Sequence, residues 1–430
     1  MPDEGRGQDG LLKMLEKILK YSVNTWSEGF MDKLYASTNA PGVAAELILS
    51  VLNTNVHVYQ VSPVLTLIEK AVARQFANLF GFGDVHSGGI TLPGGSYSNS
   101  TSMIIARNTL YPDTKTKGNG VHRFVAFTSA HGHYSVEKAA IMCGLGSDSV
   151  WQIDVDKEGR MLIPEFEEAI LRAKREGYTP FYVNAGAGTT VLGSYDPFVQ
   201  IGQLCREHGL WFHVDGSWGG AVAFSEKLKY KLIGAEMADS LTVNPHKMLN
   251  VPVTCSFLLT RDTRVFHKAN TLRAGYLFHS EVLNDEVYDM ADLTLGCGRK
   301  GDSLKLALGW IYYGKKGYEN KINHAFDVAA YFAQVLARSR NFYLVSSNPP
   351  PCLQVCFFYT PDGSLSNDAS VNTLRTRTIA QHLIHDGFMV DYAPDVSRGD
   401  FFRAVINCQT SRDTIDRLVE AVQRHGKSGR

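Results

Sequence analysis

From about residue 90 to 260, short continuous apolar runs alternate with amphipathic segments, and nothing else in the chain restricts its fold so strongly. The runs are RFVAFTS (123–129), PFYVNA (180–185), LWFHVD (210–215), SLTVN (240–244) and TCSFLLT (254–260). Between them lie helical stretches such as SVEKAAIMCGL (135–145), IPEFEEAILRAKREG (163–177) and PFVQIGQLCREHG (197–209). Strands that are apolar throughout must be covered on both faces. Alternating βα units of this kind therefore predict an α/β fold, a parallel sheet with helices on each side.

The flanks are simpler. LLKMLEKILKYSV (11–23) has its apolar residues at helical spacing, and a second helix starts at Ser62-Pro63 and stops at Gly81. Beyond a loop-rich stretch near 265–300, helical segments at 302–317 and 325–339 lead into strands (353–360, 401–408) alternating with helices (370–387, 411–425). This pattern divides the chain into a helical N-terminal segment (1–62), a large α/β domain (63–311) and a smaller α+β domain (312–430).

Composition excludes several classes of function. Lys plus Arg and Asp plus Glu each number 43, so no net field draws the chain to nucleic acid or to an anionic membrane. No apolar run approaches the roughly 18 residues a bilayer span needs, and no signal-peptide core follows the polar start MPDEGRGQDG. Seven cysteines (Cys143, Cys205, Cys255, Cys297, Cys352, Cys356 and Cys408) form no CxxC pair, which reads as reduced thiols in the cytoplasm.

Ligands of open α/β sheets bind beyond the carboxyl ends of the strands, and four features fall there. LPGGSYSNST (92–101) puts two glycines and clustered hydroxyls, Ser96 and Ser98 among them, at a helix start suited to a phosphate; a glycine turn with a serine cap is the plainer reading. In HVDGSWGG, Asp215 ends a strand with its carboxylate free to enter a crevice or to cap the next turn. SAHGHYS carries His131 and His133, without a third ligand spaced to complete a metal site. SLTVNPHKMLN places Lys247 in an apolar neighbourhood, where a desolvated amine becomes a nucleophile toward carbonyls. Together, a phosphate cradle, a planar stacker, a carboxylate and an amine nucleophile are the parts that hold pyridoxal 5'-phosphate.

These residues resemble the group II pyridoxal-phosphate decarboxylases over nearly the whole chain, most specifically through NPHK, with support from HVDGSWGG, HYS, NAGAGTTVLGSYDP and FFR. NTNVHVYQVSP, PDTKTKG, GYLF, CGR and FFRAVI are most similar to the glutamate and cysteine sulfinate branch. The resemblance implies pyridoxal-phosphate fold type I, with a mainly parallel seven-stranded sheet. It also implies a homodimer with its active site at the interface and the N-terminal segment packed on the partner subunit. Lys247 would bond covalently to the cofactor, Asp215 pair with its ring nitrogen and His133 stack on the ring. Tyr97 (through its backbone), Ser98, Ser240 and His246 would grip the phosphate, and Thr190 would lie beside the ring. Arg403 would pair with the α-carboxylate of the amino acid substrate, and Tyr276 would return a proton after carbon dioxide leaves.

Three positions depart from the family pattern. Ser217 replaces a small alanine against the ring, Lys33 replaces a glutamine and His57 an aromatic residue. Positive charge from Lys33 and His57 near the distal end of the substrate would suit a short acidic side chain such as that of aspartate or cysteine sulfinate. Other reactions of the same cofactor stay open, as does a catalytically silent binding protein. Tyr276 speaks against an oxidative route, and the intact set of Lys247, Asp215, His133 and Arg403 against a silent one.

Overall fold

The apolar runs do become strands. The computed structural model describes residues 1–272, 274–275, 277–278 and 286–428. Among the described residues the strands, in chain order, are β1 (Phe30–Met31), β2 (Gly88–Leu92), β3 (Phe124–Ser129), β4 (Val150–Ile153), β5 (Thr179–Gly186), β6 (Trp211–Gly216), β7 (Ser240–Val243), β8 (Ser256–Thr260), β9 (Phe342–Leu344), β10 (Gln354–Tyr359), β11 (Met389–Ala393) and β12 (Phe401–Val405). Seven form one sheet in the order β2-β8-β7-β6-β5-β3-β4. From β7 to β4 all neighbours are parallel, and β8 runs antiparallel to both β7 and β2.

Both faces of this sheet are buried, as uninterrupted apolar strands require. Val125, Phe127, Phe212, Val214, Leu241 and Val243 enter one core cluster, while Phe124, Ala126, Trp211 and Leu258 enter another with Met103 and Ile105 of the helix Gly95–Leu110. The period of two sends successive side chains to opposite layers. Each large apolar side chain so buried stabilises the fold by about 1.5–3 kcal/mol. Two edge-region strands escape the sequence pattern. β2 opens on two glycines, and β4 leaves Gln152 exposed at the sheet edge.

The second sheet has the order β1-β11-β12-β10-β9. Its first strand comes from the segment the sequence pattern marks as helical. Phe30 and Met31 pair parallel with Met389 and Val390 of β11, and Gly29 carbonyl accepts from Met389 N at 2.8 Å. Gly29 has to be glycine, since a Cβ would lie 2.0 Å from Gly387 carbonyl oxygen. The helical segments expected at 302–317 and 325–339 belong to one run, Ser303–Arg338, broken only where Gly314 takes φ 64° and ψ 175°. The N-terminal helix forms as Gly7–Tyr21, and none of its residues is buried: Leu11, Leu12, Met14, Leu15, Ile18 and Leu19 all face solvent. Among the described residues no helix is long and apolar enough to cross a membrane.

Candidate active site

The carboxyl ends of β3, β5, β6 and β7 surround a cavity of ≈ 230 Å³ with a mostly polar wall. The period of β6 sets its floor. Val214 points into the core, so Asp215, one residue on, points into the cavity. Asp215 Oδ1 accepts from Ser217 N at 3.0 Å, and Oδ2 accepts from Asn99 Nδ2 at 2.7 Å. Burial pushes this carboxyl up, but the charge of His133, the Ser217 hydrogen bond, the charge of Lys247 and the Asn99 hydrogen bond together hold it below its usual value.

Lys247 lies four residues past β7, in a turn where its N–H donates to Asn244 carbonyl at 3.0 Å. Burial lowers the pKa of its amine against the pull of Asp215. Among the described residues the amine has no hydrogen-bond or ion-pair partner, so it is free to act as a nucleophile. On another wall, burial depresses the His133 imidazole against the charge of Asp215, and His133 Nδ1 accepts from Ser135 N at 3.2 Å. His246 also borders the cavity. Burial lowers it to about 4, and its Nδ1 lies 2.6 Å from Cys255 carbonyl oxygen. Thr190 and Ser217 complete the set of expected residues that the fold brings to this wall.

The helix Gly95–Leu110 points its start into the same cavity, and no side chain caps it. Gly94 has φ 124°, and a Cβ on Gly95 would lie 2.6 Å from both Asn244 Nδ2 and Ser217 Oγ. Backbone therefore approaches the cavity where a side chain would fill it, and first-turn amides there lack intrahelical acceptors. Asn244 Oδ1 is buried without a partner.

Several expected residues lie elsewhere. Ser98 does not reach the cavity. Ser96 and Asn99, three apart, share the inner helix face, whereas Ser98 turns into the core and its hydroxyl pairs with Ser256 Oγ at 2.7 Å. Ser240 is placed at the wrong end of β7. It pairs with His213, not Asp215, and its hydroxyl bonds Trp211 Nε1 and His213 Nδ1, each at 2.8 Å. The Tyr97 side chain turns outward, leaving only its first-turn amide near the helix start.

Arg403 on β12 reaches the rim rather than the wall. It donates to Thr190 carbonyl at 3.0 Å, Asp32 carbonyl at 3.0 Å and Asp391 Oδ2 at 2.6 Å, while its buried Nε has no partner. Lys33 adds no free positive charge. β1 runs beside β11, so its amine meets Asp391 at 2.9 Å and Asp32 at 3.2 Å, and two acids balance Lys33 and Arg403. His57 is off the cavity. Its loop is pinned where Ala291 N donates to His57 carbonyl at 2.9 Å, and its ring Nδ1 faces Asn55 carbonyl. Tyr276 lies outside the described residues.

The pyridoxal-dependent decarboxylase conserved domain matches residues 1–360. The chain belongs to the pyridoxal-dependent decarboxylase family. An L-aspartate decarboxylase of Metarhizium robertsii is 53% identical over 428 residues, covering 99% of this chain and 85% of that protein. A glutamate decarboxylase-like protein of Gibberella zeae is 36% identical, covering 99% and 89%. The crystal structure of mouse CSAD in apo form superposes with TM-score 0.93 at 33% identity, covering 99% of this chain and 90% of that one. The fold is thus pyridoxal-phosphate fold type I, and the protein is an amino acid decarboxylase using pyridoxal 5'-phosphate.

The residues of this decarboxylase fit that cofactor. An uncapped helix start suits its phosphate, a partnerless amine its aldehyde, an ionised carboxylate its ring nitrogen and a flat imidazole its ring. Sequence reasoning missed Asn99, whose one-turn spacing from Ser96 was a usable signal, and His213, which shares a strand face with Asp215.

Proposed function

We propose that the protein decarboxylates an L-amino acid with an acidic side chain, aspartate before glutamate or cysteine sulfinate. The observation that carries the reading is the partnerless, burial-depressed amine of Lys247 in one cavity with the ionised Asp215. The 53% identical relative, named for aspartate, supports the choice of side chain.

In this reading Lys247 would hold the cofactor through its aldehyde. The bound cofactor supplies an electron sink for the breaking Cα–carboxylate bond. Asp215 would keep the ring nitrogen protonated, His133 would cover a ring face, and the Gly95 helix start would take the phosphate with His246 and Thr190 nearby. Arg403, anchored on the Thr190 carbonyl at the cavity rim, pairs with the substrate α-carboxylate. Tyr276 returns a proton to Cα and shields the site from water.

The site is shared by a cytoplasmic homodimer. Its partner surface includes the exposed apolar face of the helix Gly7–Tyr21, which single-chain packing leaves in water. Residues 63–311 carry the cofactor, while residues 312–430, joined by β1 from the 1–62 segment, carry Arg403.

The test is incubation of the purified protein with each common amino acid plus cysteine sulfinate, scoring carbon dioxide and identifying products by mass spectrometry. Aspartate should give the amine. Release of aldehyde and ammonia, no turnover of any acidic amino acid, or a borohydride-fixed label on a residue other than Lys247 would overturn the proposal.

A further inference from the structure

Behind Asp215, a chain of hydrogen bonds runs along one face of the sheet. Trp211 Nε1 donates to Ser240 Oγ at 2.8 Å, Ser240 Oγ lies 2.8 Å from His213 Nδ1, and His213 Nε2 lies 3.1 Å from Asn99 Oδ1. Asn99 Nδ2 in turn donates to Asp215 Oδ2 at 2.7 Å and to Ser135 Oγ at 2.9 Å. Trp211, Ser240, His213 and Asn99 are all buried.

The chemistry of these groups fixes the direction of the chain. An indole N–H only donates, so Ser240 accepts from Trp211 and is free to give its own proton to His213 Nδ1. The imidazole is then the Nε2–H tautomer and donates to Asn99 Oδ1 at 3.1 Å, with the Thr242 hydroxyl farther off at 3.3 Å, which turns the Asn99 amide nitrogen toward Asp215. In the opposite direction the Ser240 proton has no acceptor among the described residues, and Asn99 Oδ1 would face Asp215 Oδ2. That pairing is tolerable only if Asp215 carries a proton. Burial keeps His213 neutral by lowering it to about 4, so the chain does not dissolve into an imidazolium with two donors. The charged groups facing Asp215 from other elements are His133, from the loop after β3, and Lys247, from the turn after β7.

We infer that Trp211, Ser240, His213 and Asn99 form a one-way donor relay that holds Asp215 as a pure acceptor, with His213 as the positioning residue that sets the direction. The inference rests on the assignment of Asp215 to the cofactor ring nitrogen and deepens it. The proton shared between that nitrogen and Asp215 stays on the nitrogen because Asp215 has no orientation of Asn99 that welcomes a protonated carboxyl.

His213→Phe removes both ring nitrogens at similar size, and His213→Gln restores a donor near the Nε2 position. Tyr182→Phe is the control, since its ring stacks on His213 at 5.9 Å without joining the relay. Holoenzyme reconstituted with cofactor labelled with nitrogen-15 in the ring is followed by NMR and visible absorbance across pH 6 to 9. In His213→Phe the ring nitrogen should lose its proton at lower pH, and kcat should fall at least about tenfold at pH 8 but less than about threefold at pH 6. His213→Gln should recover much of both effects, and Tyr182→Phe should leave them unchanged. Ser240→Ala, a smaller change, should move the nitrogen titration in the same direction if His213→Phe does not fold. A ring-nitrogen titration identical in wild type, His213→Phe and Ser240→Ala overturns the relay, as does an equal shift in Tyr182→Phe. A wild-type protein that binds cofactor without protonating its ring nitrogen overturns the underlying assignment instead.

Discussion

Asp215→Asn isolates the electrostatics of the site. Both Asp215 oxygens accept from fixed donors, Ser217 N at 3.0 Å and Asn99 Nδ2 at 2.7 Å. An amide has one acceptor and one donor end, so either orientation sets an NH₂ group against a donor. That conflict costs about 1–3 kcal/mol. The loss of charge costs more, since a unit pair about 4 Å apart at an effective dielectric near 20 is worth about 4 kcal/mol. The sum, about 5–7 kcal/mol, corresponds to a kcat roughly a thousandfold or more below wild type, at about 1.4 kcal/mol per decade. The assay is carbon dioxide release at saturating cofactor, with borohydride labelling to confirm that Lys247 is loaded. A cofactor analogue methylated on the ring nitrogen, permanently positive, should recover part of the lost rate. A loaded variant that loses less than about tenfold refutes the assignment of Asp215 to ring-nitrogen protonation.

Other outcomes follow from the same geometry. Gly95→Ala puts a Cβ 2.6 Å from Asn244 and Ser217, so cofactor affinity, read by fluorescence titration, should fall about tenfold or more. Lys33→Ala leaves Asp391 and Asp32 facing Arg403 alone, and the added net negative charge should raise KM for an acidic substrate by about a few-fold more than for leucine, with kcat little changed. An unaltered ratio of kcat/KM among aspartate, glutamate and leucine would remove Lys33 from specificity. Arg299→Met strands the fully buried Glu69, which takes the Arg299 guanidinium at 2.5 Å, and should cost about 3–5 kcal/mol in denaturant unfolding. Cofactor uptake by apoprotein needs the neutral Lys247 amine. Because burial lowers its pKa, the uptake rate should climb with pH and level off below the 10.5 of an ordinary lysine, whereas a plateau only above that value would contradict the burial of the amine.

Much of the site was legible because it is built from short-range periods. Strand alternation sends Val214 inward and Asp215 to the cavity, and the turn after β7 carries Lys247 to the same sheet end. A phosphate cradle could be read from the glycines before the helix Gly95–Leu110, but which serine faces inward could not. One helix face holds Ser96 and Asn99, and Ser98 goes to the core. The sequence leaves Lys33 looking like free charge because its partner Asp391 lies 358 residues away, and β1 is too short to produce any pattern.

Sequence alone determined the parallel sheet and the strand ends at which chemistry would gather, and it singled out the lysine, aspartate and histidine that the fold brings to one cavity. Hydrophobic periodicity and turn residues are local properties, and they leave a local record. The tertiary structure alone decided that Arg403 and Lys33 share Asp391, that Ser240 serves a buried relay and not the cavity, and that Asn99 holds Asp215 from the helix packed on the same sheet face. Those pairings depend on strand order and register between distant segments, which no window of adjacent residues contains.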